Sequence, residues 1–179
     1  MKVLKGLLIL AVMTAACSTL TVSSDWDHTA DFSKYRTYAV REGTKANNPL
    51  IQERIDRSLA ATLQAKGLRL DNQNPDLLVY THVRVSKEQQ VNYNTYGYGG
   101  WYGWYGWGPG GWSTTTATVS EVPVGTLIVD LVDAQKKSLV WRGTATDTIT
   151  SQDQVSQENI DKAVAKMFNT YPPAPGSKP

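Results

Sequence analysis

Hydrophobic positions recur along the chain with two different periods, and each period predicts one kind of element. Leu20, Val22 and Trp26 alternate with polar residues, which is typical of a half-buried strand at the edge of a sheet. The aromatic and β-branched residues from Tyr35 to Val40 predict a second strand. Similar patterns predict the remaining strands over Asp76 to Val91, Thr114 to Val122, Gly125 to Val132 and Ser138 to Thr148.

A four-residue spacing of apolar positions predicts two helices. The stripe of the first helix is Ile51, Ile55, Leu59 and Leu63. Asn48 is expected as its N-cap, Pro49 as its first helical residue and Gly67 as the glycine after its end. The stripe of the second helix is Ile160, Val164, Met167 and Phe168, and Tyr171-Pro172-Pro173 ends it.

This order of elements predicts an α+β fold, in which an antiparallel sheet carries both helices on one face. The long strand after Asp76 and the strands after Thr114 predict a hairpin whose tip holds an aromatic and Gly-rich insertion, residues 93–112. Pro123 is expected at a bulge or an edge position. One domain over residues 17–171 accounts for these elements, and residues 172–179 are predicted to be a disordered tail.

The first residues have the three zones of an export signal. Lys2 and Lys5 precede the apolar run of residues 6–13, which is too short to span a bilayer. Small residues then lead to Cys17, the only cysteine, and this arrangement resembles a bacterial lipobox. Thr14 departs from that pattern, which usually has Leu there. We therefore predict a signal peptide over residues 1–16, with cleavage before Cys17.

The lipobox resemblance implies that Cys17 carries acyl chains such as palmitate. Ser18 follows it where an Asp would resemble an inner-membrane retention signal. We therefore expect an outer-membrane lipoprotein that faces the periplasm and contacts the membrane through its N-terminal lipid anchor. Removing Lys2 and Lys5 from the 18 basic residues leaves as many basic as acidic residues, of which there are 16. This balance argues against a nucleic-acid partner.

Residues able to support catalysis are few and scattered. The chain has no G-x-S-x-G motif, and its two histidines, His28 and His82, are far apart in sequence. We interpret His28 as part of a solvated turn and His82 as a surface-facing or hydrogen-bonded strand residue. Asp130 and Asp133 are expected to point to opposite faces of the sheet. The sequence thus predicts no catalytic residues, no metal and no cofactor.

Two further polar residues have structural interpretations. Arg142 follows Trp141, so alternation predicts a buried Trp141 and an exposed Arg142. Asp76 follows Pro75 and is expected to end a turn.

The most unusual segment is NTYGYGGWYGWYGWGPGGW, residues 94–112. Its candidate contact residues are Trp101, Tyr102, Trp104, Tyr105, Trp107 and Trp112. Three hypotheses compete: the rings stack on peptidoglycan or another envelope glycan, they settle at a membrane interface, or the segment is a low-complexity tip used at most for self-association.

Several segments resemble a known family: FSKYRTYAV, AATLQAKGLRL, NPDLLVY, GTLIVDLVDAQKKSLVWRGTAT and IDKAVAKMFNTYPP. They are similar to the bacterial lipoprotein family catalogued as domain of unknown function 4136. The resemblance implies a periplasm-facing α+β domain on a lipid anchor, and it supplies no reaction. We therefore predict a non-enzymatic envelope lipoprotein with a structural or binding role. The alternative is an envelope hydrolase or an accessory subunit of an envelope enzyme complex.

Overall fold

A computed structural model describes residues 20–97 and 113–174. Within these ranges, six strands form one sheet and two α-helices pack against it. The strands are β1 (Thr21–Trp26), β2 (Thr37–Thr44), β3 (Arg69–Leu70), β4 (Leu77–Gly97), β5 (Ser113–Asp133) and β6 (Leu139–Thr148). The helices are α1 (Pro49–Ala65) and α2 (Gln157–Met167). The order of the strands across the sheet is β1-β6-β5-β4-β2-β3.

The predicted α+β class is confirmed, and the sheet is largely antiparallel. Its parallel pairs, β2 with β4 and β2 with β3, were not predicted. They follow from the connection, because α1 lies between β2 and β3 in the chain and supplies the crossover that a parallel pair requires. The short strand β3 was not predicted either, since its two residues carry no pattern.

The local signals at both ends of α1 are confirmed. The side chain of Asn48 accepts a hydrogen bond from the Leu50 N–H at 2.9 Å. At the other end Gly67 has φ 84°, a conformation that glycine adopts without strain. The Gly67 N–H donates to the Gln64 carbonyl and the Leu68 N–H to the Leu63 carbonyl, which is a Schellman motif.

The core lies between the helices and one face of the sheet. Leu59 and Leu63 of α1 and Val164 of α2 are buried there against alternate residues of the central strands. At one side of this core, Trp141 lies 4.5 Å from Phe168 and 5.7 Å from Tyr171, measured between ring centroids. Every buried residue of the core cluster lies between Tyr35 and Tyr171, so the chain from Ser18 onward contains all of them.

Some element boundaries differ from those predicted. Tyr35 precedes β2 and packs into the core, while β2 itself begins at Thr37. The second helix, whose first residue was not predicted, begins at Gln157, where the N-cap Ser156 accepts from the Asn159 N–H. It ends at Met167, so Phe168 of the predicted stripe lies just beyond it. Pro123 lies in β5 with no shift of the β4–β5 register, beside the end of β6. Pro123 is therefore not at a bulge, and its missing N–H lies on the side where pairing with β6 ends.

Candidate functional site

The hairpin of β4 and β5 extends far beyond the rest of the sheet. Its 21 residue pairs run from Leu77↔Asp133 to Gly97↔Ser113 without a shift of register. The last pair between β5 and β6 is Val124↔Thr148, and the last pair between β2 and β4 is Thr44↔His82. Among the described strands, residues 86–97 and 113–123 therefore pair only within the hairpin of β4 and β5. We call this two-stranded ribbon the arm, and at about 3.3 Å per residue it is about 36 Å long.

The two faces of the arm differ in polarity. The face that continues the helix-covered side of the sheet carries Val91 opposite Val119 and Tyr93 opposite Ala117. Tyr93 is 71% exposed, Val119 57% and Val91 44%. The other face carries Asn and Thr side chains, with Asn92 opposite Thr118.

The arm is also uncharged beyond its base. Between Glu88 and Glu121 the sequence contains no Asp, Glu, Lys, Arg or His. The arm thus combines an exposed apolar face with an absence of charge. Strands of soluble proteins rarely expose an uncharged, apolar face to water, so the arm has the character of a contact surface.

The described chain begins at the same end of the sheet as the base of the arm. Thr21 of β1 pairs with Thr146, which pairs with Thr126, which in turn pairs with Arg84. This row lies next to Ser86, where the arm starts. Leu20 is fixed near this row because its carbonyl accepts from the Lys166 Nζ at 3.4 Å. Leu20 and the base of the arm consequently lie at the same end of the domain.

A polar row crosses the open face of the sheet, opposite the helices. Arg142 donates two hydrogen bonds to the Asp130 carboxylate, both 2.6 Å long, and this pairing raises the pKa of the guanidinium. The prediction that Trp141 faces the core and Arg142 faces outward is confirmed, although Arg142 is paired rather than free. Asp130 is buried and its charge is neutralised by Arg142, so the two residues form a structural ion pair.

His82 lies next to this pair. Its Nδ1 accepts from the Thr44 N–H at 3.2 Å, so Nε2 carries the proton of the neutral ring. Nε2 is 3.9 Å from Asp130 Oδ2, which is too long for a hydrogen bond. His82 is thus a hydrogen-bonded strand residue, as predicted. His28 is exposed in a turn, 5.8 Å edge-on from the Trp26 ring.

The carboxylates of Asp133 and Asp76 stabilise the backbone beside turns. Asp133 accepts from the N–H groups of Gln135 and Lys136 and from the Tyr35 hydroxyl, on the face opposite to Asp130. Burial raises the pKa of Asp133, but these hydrogen bonds outweigh it, so the pKa lies below its ordinary value. Asp76 accepts from the N–H groups of Arg36 and Thr37 and so joins the start of β2 to the start of β4.

The predicted contact and lipidation residues lie outside the described ranges. These are Cys17, Trp101, Tyr102, Trp104, Tyr105, Trp107 and Trp112. The structure does establish that Gly97 and Ser113, which flank residues 98–112 in the chain, pair at the far end of the arm.

Neither a metal site nor a membrane-spanning helix is found in the described ranges. No three His, Cys, Asp or Glu side chains there come together as a group able to hold a metal ion. Neither α1 nor α2 is long and apolar enough to cross a bilayer.

Together, the single sheet, the two helices on one face and the projecting arm define a small α+β domain that displays one long hairpin. The chain belongs to the family of the domain of unknown function DUF4136, whose model matches residues 22–173. No curated protein matches the sequence significantly.

The chain is similar to solved structures at low sequence identity. The chain is similar to a PDZ domain protein from Parabacteroides distasonis ATCC 8503, with a TM-score of 0.56 and 17% identity. This match covers 88% of the chain and 36% of that protein, so the chain spans about a third of its relative. It is also similar to the PelC dodecamer from Paraburkholderia phytofirmans, with a TM-score of 0.48, 19% identity and coverage of 83% of this chain and 96% of that one.

Proposed function

We propose that the protein is a non-enzymatic lipoprotein of the outer membrane, anchored through Cys17 on the periplasmic side, whose arm carries the aromatic loop to the lipid bilayer. The observation that carries this proposal is that the start of β1 and the base of the arm lie at the same end of the sheet. Cys17 lies three positions before Leu20, so their Cα atoms are at most about 11 Å apart. An anchor this short keeps that end of the domain next to the bilayer.

The surface of the arm fits this partner. It bears no charge beyond Glu88 and Glu121, so contact with lipid desolvates no ionised side chain. Its apolar face, with Val91, Tyr93 and Val119, gains free energy on leaving water. The Trp and Tyr residues of the loop are the residue types that favour the interface between lipid and water. We infer that the membrane interface is the contact of the loop.

The envelope-glycan hypothesis requires a different direction of the loop. A peptidoglycan contact requires the loop to point away from the membrane that holds the anchor, whereas the arm leaves the domain at the anchored end. The hydrolase alternative requires a carboxylate or histidine beside a substrate cleft. Asp130 and His82 instead lie on the open face of the sheet, and Asp130 is held by Arg142.

Vesicle sedimentation tests the proposal. The chain from Ser18 onward, which lacks the lipid, is mixed with vesicles of phosphatidylethanolamine and phosphatidylglycerol or with purified peptidoglycan. We expect this protein to sediment with the vesicles but not with the peptidoglycan. Because the arm is uncharged, high salt should leave retention unchanged. The double variant Tyr93→Ser/Val119→Ser, which keeps the loop but removes apolar surface of the arm, should weaken retention.

A matched control exists at the opposite end of the sheet. Leu70 and Leu139 are exposed apolar residues there, so Leu70→Ser/Leu139→Ser removes similar surface and should leave retention intact. Retention by peptidoglycan alone would support the glycan contact instead, and equal losses in the two double variants would refute a specific role of the arm. Mass spectrometry of Cys17 in membrane fractions tests the anchor separately.

A further inference from the structure

An apolar cavity of about 240 Å³ opens between the helices and the sheet, at the end where the arm begins. Five separate parts of the chain each direct a half-buried apolar side chain into it: the residue before β1, then α1, β4, β5 and α2. These residues are Leu20, Ile51, Val83, Leu127 and Ala163, and the buried Ile55 and Ile160 also line the cavity. The convergence of so many elements distinguishes this cavity from scattered apolar exposure.

The polar residues that line the cavity are Lys45, Asn47, Asn48, Thr126, Asp147, Gln154 and Asn159. Lys45, Asn47 and Asn48 line it and are exposed, so they mark the side that is open to solvent. Neither His28 nor His82 is among its lining residues. Because the remaining lining residues are apolar or glycine, a ligand that fits this cavity is apolar over most of its length.

The volume limits the size of this ligand. An apolar cavity of about 150 Å³ accommodates benzene, which has six carbon atoms. By proportion, about 240 Å³ accommodates about ten carbon atoms. A linear acyl chain of about that length, or the end of a longer one, meets this limit.

The position of Leu20 indicates where such a chain comes from. Leu20 lines the cavity, and Cys17 lies three residues before it, within about 11 Å. We propose that the cavity is an acyl-chain site, and that its occupant is one acyl chain of the lipid attached to Cys17. The identity of the occupant rests on the lipidation proposed above, whereas the ability of the cavity to bind an acyl chain does not.

The first experiment measures acyl-chain binding without the attached lipid. The chain from Ser18 onward is titrated calorimetrically with decanoate below its micellar concentration, and we expect one decanoate to bind per chain. Ile51→Gln places a polar group in the wall and should weaken binding about tenfold, which corresponds to about 1.4 kcal/mol. Leu50→Gln is the matched control, because Leu50 precedes Ile51 in α1, is 61% exposed and does not line the cavity.

A second pair of variants covers the case in which Ile51→Gln disturbs folding. Ala163→Leu fills part of the cavity from α2, whereas Ala165→Leu adds the same side chain on an exposed position of that helix. Only the first should reduce decanoate binding, with far-UV circular dichroism unchanged in both. The absence of decanoate binding, or binding that none of these substitutions alters, would overturn the acyl-chain site whatever the vesicle assay shows.

The second experiment identifies the source of the chain. Lipidated and unlipidated proteins are heated in lipid nanodiscs, and the rise in melting temperature that lipidation causes is compared between variants. We expect Ile51→Gln to abolish this rise and Leu50→Gln to retain it. An equal rise in both variants would refute Cys17 as the source of the chain.

Discussion

Removing the arm should leave the stability of the domain almost unchanged. The change is the replacement of residues 90–120 by Asn-Gly, a dipeptide that favours a two-residue hairpin turn and directly joins the paired residues Gln89 and Glu121. If the arm is an appendage for contact, the remaining domain folds without it.

The magnitude follows from burial. Within residues 86–97 and 113–123, no described side chain is among the buried core residues. Val91 and Val119 are about half exposed, and each contributes about 1 kcal/mol, half of what full burial of such a side chain provides. Ordering each arm residue costs about 1 kcal/mol of backbone entropy, which the ribbon's cross-strand hydrogen bonds and contacts roughly offset. The free energy of unfolding should therefore change by less than about 2 kcal/mol.

Urea unfolding of both proteins, followed by far-UV circular dichroism, measures this difference. Fluorescence provides a second probe in the shortened protein, because it retains Trp26 and the fully buried Trp141 but none of the four tryptophans of the loop. A loss of more than about 3 kcal/mol, or a shortened chain that fails to fold, would show that the arm belongs to the folding unit. That outcome would also remove the structural reason for regarding the arm as a contact surface.

Three further substitutions test the interactions that position the arm and the core. Gly43→Ala should destabilise the domain by at least about 2 kcal/mol in urea unfolding, because an added Cβ would overlap the backbone carbonyl of Thr81. Arg142→Met should lower the free energy of unfolding by about 2 kcal/mol, since it leaves the buried Asp130 without its two hydrogen bonds. A double-mutant cycle with Asp130→Asn should give a coupling energy of about 1–2 kcal/mol. The pKa of Asp133 is lowered in the folded protein. Its contribution to stability is therefore present above its unfolded pKa of about 3.9 and is lost as the pH falls through the folded value. Asp133→Asn should flatten the dependence of stability on pH below about pH 5.

Each of these predictions has a control and a contrary result. Glu42→Ala, next to Gly43 and exposed, should have little effect, and equal effects of the two substitutions would contradict the steric argument. A coupling energy near zero would mean that Arg142 and Asp130 act independently. An unchanged acid slope in Asp133→Asn would show that other carboxylates govern stability at low pH.

The sequence predicts elements whose signals are local. The first helix was located because its N-cap, its first proline and its final glycine act within a few residues of its ends. The parallel position of β2 beside β4 depends on the path of the chain through α1, and no local pattern specifies that path.

The ion pair of Asp130 and Arg142 was not predicted, for a similar reason. The two residues are 12 positions apart, and they meet only because the register of β5 and β6 places them opposite each other. The cavity depends on residues from separate parts of the chain, so it has no signature in any one segment. The apolar alternation of the strands gives no sign of the cavity either, because the same alternation forms the closed core.

The unbroken ladder of β4 and β5 also constrains how this hairpin changes length in evolution. A single extra residue in one strand would exchange the Val and Tyr side chains beyond it with their Asn and Thr neighbours, so that the apolar surface would be interrupted. Insertions or deletions that preserve both surfaces must come as two residues in each strand, or be confined to the loop. Among homologous proteins, hairpin lengths should therefore differ in steps of four residues, apart from variation in the loop.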